Sequence, residues 1–433
     1  MQSSFNPAHI KALLNRRTVP DSETEEALDA ASAMRGLTLE QTAVLLAAHK
    51  AHHLDSIIDL ARSTRWALTG NRVFVHVPVR CPGIGTGAGR HSTGASWIDS
   101  MTQAVASLAA CGHTIVTLHL PDDSVTTRTL LALQNRLAGR CPAGTLPLLR
   151  IRARAFTARQ AVELAAGGLP RLVHMQLSYH RPTYQTLNTV PHESFDSALL
   201  QPHTYMAAGA RRITLGIRLA SPRPEYEALC LLSQHRSLKN IFGHGARTLH
   251  LETTPPADHA GVKNGISVLA RITAVLTLAA PECIVSVPST PPEGGEGTLV
   301  DMGATFIATQ TYDHAAAIRH GDMRQRLGGA CAMLDTTIRR LLRDYGVIPA
   351  LCIRCYNGTQ ADNARMNLVD AGIMHCECAP MILQELTDYL MRHGSAATVE
   401  AARGALMREF AALDFSRQEA VRPALRELLG PRF

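Results

Sequence analysis

Four cysteines lie close together late in the chain, in CIRCYNGTQADNARMNLVDAGIMHCEC. Cys352 and Cys355 form a C-x2-C, and Cys376 and Cys378 form a C-x-C. Two residues between thiols let both sulfurs converge on one ion, and they equally suit a redox disulfide. A second pair about twenty residues later, where no strand pattern runs, points toward metal binding. Thiolate-only ligation suits zinc or an iron–sulfur cluster, and ordinary buried cysteines are the bland alternative. His375, beside Cys376, is the one histidine placed to reach such a metal. The other six cysteines (81, 111, 141, 230, 283 and 331) are isolated in helix or strand patterns and read as reduced core thiols.

A second stretch that could do chemistry is VPVRCPGIGTGAGRHSTG at 77–94. A Gly-rich loop between a strand and a helix can cradle an anion on backbone N–H groups, here with Arg80 and Arg90 nearby. The glycines miss the G-x-G-x-x-G spacing, and no G-x-x-x-x-G-K-[ST] occurs anywhere. The alternative is a loop that has lost what it once held. A third stretch, YHRPTY at 179–184, sets Tyr179, His180 and Arg181 at a strand exit. These are ligand-contact candidates, although proton transfer by His180 would need a partner that the sequence does not reveal. A purely structural role is their alternative.

The elements that must position these groups follow a clear rhythm. Residues 1–70 read as a helical cap, with Thr38 and Gln41 forming a capping box in LTLEQ. From 71 to 325, eight β-branched runs (RVFVHV, HTIVTLHL, LPLLRI, RLVHMQL, RRITLGI, ARTLHLE, ECIVSV and ATFIAT) alternate with helical ones. That alternation predicts an α/β fold of the (β/α)8 TIM-barrel type, with function on the loops that follow the strands. A doubly wound open sheet is the runner-up. Residues 326–433 form a C-terminal helical region around the cysteines, with three helical runs after them.

Apolar residues make up 46% of the chain and charged ones 18%, which provides a large core within a globular protein. The net charge of +7 is carried almost wholly by scattered arginines, with four lysines in all, so no nucleic-acid footprint is expected. The N-terminal sequence lacks the apolar core of a signal peptide. The most apolar run, 268–287, is broken by Arg271, Pro281 and Glu282, so neither export nor a membrane span is expected, and the expected location is the cytoplasm.

Several of these segments resemble the HydG/ThiH-like family of radical S-adenosylmethionine (SAM) tyrosine lyases, whose members serve [FeFe]-hydrogenase maturation and thiamine synthesis. GLTLEQTAVLL is similar to the helix before the barrel in that family, and QLSYHRPTYQTL to QETYHRPTYE. VIPALCIRCY resembles IPSFCTACYR, and AGIMHCECAPMILQELTDYL resembles SGFIHNFCQPNALLTLKEYL. The family's C-terminal cluster motif is C-x2-C-x22-C. Cys352, Cys355 and Cys378 fall on its three ligand positions, and Cys376 stands as an extra, candidate fourth ligand. The resemblance therefore implies a C-terminal 4Fe–4S cluster.

The same resemblance implies losses. In the family the loop after the first strand carries C-x3-C-x2-C, the thiolates of the SAM-cleaving cluster, whereas here Cys81 stands alone among glycines. One thiolate does not hold a cubane cluster. The family's Gly-Glu segment after the second strand is TLHLPDD at 117–123, and the glutamate of QETYH is Leu177. An iron-assisting histidine is replaced by Arg247, while TQAD at 359–362 and QTYDHAA at 310–316 replace further pocket segments. The expectation is a degenerate member in which SAM is not a cofactor and tyrosine-lyase activity is lost. It would be an accessory, scaffold or iron-synthon carrier working with hydrogenase-maturation proteins or the hydrogenase. The alternatives are an inactive paralogue of an active maturase, or a non-radical enzyme that binds a small anion at the barrel mouth.

Overall fold

The computed structural model describes residues 6–16, 19–121, 123–141, 145–153, 155–169, 171–188, 194–210, 212–253, 265–288, 299–351 and 374–430, except for the side chains of 253, 265–267 and 374–377. Four helices precede the first strand: α1 (Pro7–Leu14), α2 (Asp21–Ser32), α3 (Leu39–Ala47) and α4 (Ala51–Thr69). The predicted capping box opens α3. Gln41 N–H donates to Thr38 Oγ1, and the Gln41 side chain accepts from the Thr38 N–H, satisfying two of the orphan donors at the helix start.

All eight anticipated strands are present: β1 (Arg72–Arg80), β2 (Ile115–His119), β3 (Leu148–Arg152), β4 (Leu172–Gln176), β5 (Thr214–Leu219), β6 (Thr248–Thr253), β7 (Ile284–Val287) and β8 (Phe306–Ala308). They run parallel in sequence order, and β1–β8 pairing at Phe74↔Phe306 closes a (β/α)8 barrel. Between them lie α5 (Gly94–Ala110), α6 (Thr127–Arg140), α7 (Ala158–Ala166), α8 (Arg181–Leu187), α9 (Phe195–Ala207), α10 (Pro224–Phe242) and α11 (Gly265–Ala279). Strands covered on both faces must be apolar throughout. Accordingly Val73, Val77, Val116, Leu118, Leu215, Ile217, Leu249 and Leu251 are fully buried.

After β8 come β9 (Tyr312–Asp313), α12 (His314–His320), α13 (Met323–Asp344), β10 (Ile348–Ala350), α14 (Met374–His393), α15 (Ala396–Ala411) and α16 (Phe415–Leu429). The strands β9 and β10 add to β1 at Val79–Arg80 and Arg72–Phe74. At two and three residues they are too short to carry a readable period. By contacts the chain divides into two compact units, residues 1–65 with 151–305 and residues 66–150 with 306–433.

One expectation needs correction. Cys111, the C-cap of α5, and Cys331 on α13 form a disulfide with a Cα–Cα distance of 5.6 Å, so they are not reduced core thiols. The partners are 220 positions apart and carry no motif; only the packing of α5 on α13 brings them together. Among the described residues, Cys81, Cys141, Cys230 and Cys283 stand outside any disulfide.

Candidate functional site

The loop after β1, in the unit formed by 66–150 and 306–433, is closed on itself. Gly85 N–H donates to His91 O and His91 N–H to Gly83 O, while Ile84 N–H donates to Ser124 Oγ. Gly85 and Gly87 sit at φ of +128° and +124°, which a side chain would resist, and this lets the loop fold tightly around the Arg90 guanidinium. Arg90 donates to Ile84 O at 3.2 Å, and a Cβ at Gly83 would collide with it. The N–H groups that would cradle an anion therefore serve the loop. Arg80, at the end of β1, pairs with Asp313 at 3.0 Å.

Cys81 is buried, its N–H donating to His119 O and its thiol directed at Val79 O. Burial pushes the thiol far above its ordinary value and keeps it protonated. Its surroundings are those of a core thiol, and they do not fit a cluster ligand. For the C-terminal cysteines, Cys352 and Cys355 lie outside the described residues, as does the side chain of Cys376. Cys378 is buried in the first turn and a half of α14. Among the described residues no group of three or more His, Cys, Asp or Glu side chains converges for a metal.

In the other unit, the stretch after β4 brings Tyr179, His180 and Arg181 together. They line a cavity of about 360 Å³ with Lys11, Phe195, Asp196 and Tyr226. The organising group is Glu227 in the first turn of α10, fully buried. Its carboxylate accepts from Ser178 Oγ and from Tyr179 N–H at 2.7 Å. Burial raises the Glu227 pKa above the ordinary carboxylate value against these donors, which pull it down. The Tyr179 hydroxyl donates to Gln234 Oε1, and burial raises its pKa, so it is a packing residue of the cavity wall. His180 Nδ1 lies 2.9 Å from Thr183 Oγ1. Arg181 donates to Asp196 at 2.6 Å and stacks over the Phe195 ring at 4.4 Å.

The same unit holds a charged constellation that the sequence reading did not single out. Register pairs Gly216 with His250, Arg218 with Glu252 and His250 with Ser286, and Arg152 with Val173 one strand away. Period-two alternation therefore puts Arg152, Arg218, His250, Glu252 and Ser286 on one face of the sheet, toward the carboxyl ends of their strands. Arg152 grips Glu252 bidentately at 2.6 and 3.3 Å, and Arg218 reaches Glu252 at 3.4 Å. His250 Nδ1 lies 2.9 Å from Ser286 Oγ. Burial opposes ionisation of Glu252. The charge and hydrogen bonds of Arg152, helped by His250 and Arg218, prevail and hold the carboxyl at about 2. The readable signal was a charged residue in the last two positions of each of three largely apolar runs, LLRIR, TLGIRL and TLHLET.

No family model and no curated protein matches the chain. Solved structures do. The chain is similar to HydG, a maturase of the [FeFe]-hydrogenase, with a TM-score of 0.83 and 19% identity over 99% of both chains. It is similar to the HydG of Carboxydothermus hydrogenoformans, with a TM-score of 0.74 and 17% identity over 97% of this chain and 98% of that one. Methylornithine synthase (PylB) is similar over 79% of this chain and 99% of its own, with a TM-score of 0.54 and 18% identity.

Proposed function

We propose that a chain with the fold of HydG over nearly its full length works in [FeFe]-hydrogenase maturation without cleaving SAM, as an accessory protein that holds an iron–sulfur cluster and carries or accepts an iron species. The observation that carries this reading is the state of Cys81: a single buried, protonated thiol stands at the exit of β1, in a loop that closes on itself. A likeness over 99% of the chain to a maturase supports the biological setting.

In this reading the helical N-terminal cap and the barrel, residues 1–325, form the body, and 326–433 carries the cluster. The donor set of Cys352, Cys355 and Cys378 is all thiolate at C-x2-C-x22-C spacing, which fits a 4Fe–4S cluster. Cys378 lies near the N-terminal end of α14, where the helix dipole favours a thiolate. Three ligands leave one iron open for an exogenous species; a fourth from Cys376 would close it. The partners are maturation proteins or the hydrogenase itself, in the cytoplasm. Among the described residues no helix is long and apolar enough to cross a membrane.

Iron and zinc analysis with Mössbauer spectroscopy on anaerobically reconstituted protein tests the proposal. About four irons per chain, lost in Cys378→Ala and kept in Cys376→Ala, is the expected result for a three-thiolate cluster. Zinc, or no metal at all, overturns it. So does reductive cleavage of SAM by the purified chain.

A further inference from the structure

We infer that the face shared by β3, β5 and β6 is a binding site for a small carboxylate anion, with Arg218 as the ligand-gripping residue and the Arg152–Glu252 pair as its fixed support. Three observations lead there. The first is charge. Two guanidinium groups face one carboxylate, and Glu252 stays ionised at any physiological pH, so Arg152, Arg218 and Glu252 together carry a net charge of about +1, with no further carboxylate on them among the described residues. A partly buried excess charge is costly without a counter-ion, and one negative charge would balance it.

The second is the uneven use of the two arginines. Arg152 is committed through two hydrogen bonds, with only 19% of its side chain exposed. Arg218 is 31% exposed and makes a single bond at 3.4 Å, through one Nη atom. With one N–H of Nη2 on Glu252, its other N–H and the neighbouring N–H of Nε or Nη1 present the planar fork that matches a carboxylate in two parallel bonds. Glu252 holds Arg218 from one side and so fixes the direction in which that fork points.

The third is position. Arg218 lies one residue from the carboxyl end of β5, and in (β/α)8 barrels ligands are taken at those ends. His250 and Ser286, hydrogen-bonded to each other on the same face, add polar groups beside the charge. Neither Arg80 nor Arg90 belongs to this set, since both are engaged within their own unit.

The test uses the full-length chain and reads the thermal unfolding midpoint against rising sodium acetate or malonate, with sodium chloride at matched ionic strength as the reference. Wild type is expected to show a saturable rise with the carboxylates over chloride. Arg218→Gln, which leaves the Arg152–Glu252 pair intact, should weaken the apparent affinity about tenfold or more. Arg80→Gln should leave it unchanged. An equal rise in wild type and Arg218→Gln overturns the site. A rise with inorganic phosphate and none with the carboxylates overturns the ligand class. Iron content measured on the same samples keeps this outcome separate from that of the cluster proposal, which neither needs the site nor is needed by it.

Discussion

Replacing Glu252 by glutamine should destabilise the protein by about 3 kcal/mol at neutral pH. The Glu252 carboxyl is held at about 2 against an ordinary value of 4.5. At about 1.4 kcal/mol per pH unit, that separation corresponds to roughly 3 kcal/mol favouring the folded, ionised form. The sign follows from a folded pKa below the unfolded one. The stabilisation is complete above the unfolded value of 4.5 and is lost as pH falls through about 2. Its source can be isolated with a double-mutant cycle at pH 7 of Arg152→Met, Glu252→Met and the pair together, each unfolded in urea and followed by circular dichroism. Arg152→Met leaves Glu252 only its 3.4 Å contact with Arg218, Glu252→Met strands Arg152, and the double change removes both charges of the pair, so the double mutant should lose less than the sum of the singles by about 2 kcal/mol. A coupling below about 0.5 kcal/mol would mean that solvent already screens the pair, and the energetic reasoning would fail.

Three further outcomes are expected. His113, His174 and His314 are held neutral down to about 4 because burial disfavours the imidazolium. An unfolded histidine protonates near 6.5, so stability should fall by about 2 kcal/mol per histidine between pH 7 and pH 5, and a flat profile over that range would refute the assignment. Mass analysis after alkylation of the denatured, unreduced and metal-free chain should find Cys111 and Cys331 protected and Cys81, Cys141, Cys230 and Cys283 modified. Reduction should then lower stability by up to about 5 kcal/mol, the chain-entropy estimate for so long a loop. Finally, a Cβ at Gly216 would lie 1.9 Å from Met175 Sδ. Gly216→Ala should therefore cost about 1–3 kcal/mol, and a Met175→Ala background should recover most of it, as read by thermal unfolding.

The fold was legible because each strand is a short, mostly apolar run bounded by turns, and burial on both faces favours such runs. RVFVHV and ARTLHLE needed no tertiary information. The additions on β1 were not legible, because Tyr312–Asp313 and Ile348–Ala350 are strands only by virtue of their neighbour. Local geometry also decided which highlighted residues remain available to a ligand. The sequence grouped Arg80 and Arg90 as an anion-binding pair, yet Asp313 engages one and the loop's own carbonyl the other. Arg152, Arg218 and Glu252 are dispersed in sequence and become neighbours only through strand register, and spacing does not encode that relation.

The Cys111–Cys331 bridge makes the segment between its ends a covalent ring with two tails. Pulled by its termini, the chain would yield only the tails. The 220-residue span inside the ring holds back about 790 Å of contour that extension cannot reach until the bridge is reduced. A single proteolytic cut within the ring would likewise leave one connected molecule, of unchanged mass except for the water added. Most of the barrel lies in the ring, whereas Cys352, Cys355, Cys376 and Cys378 all lie in the C-terminal tail. Thiol reductants used to load those four cysteines would open the ring at the same time, so the metal-loaded chain and the chain closed by the bridge are two mechanically different objects.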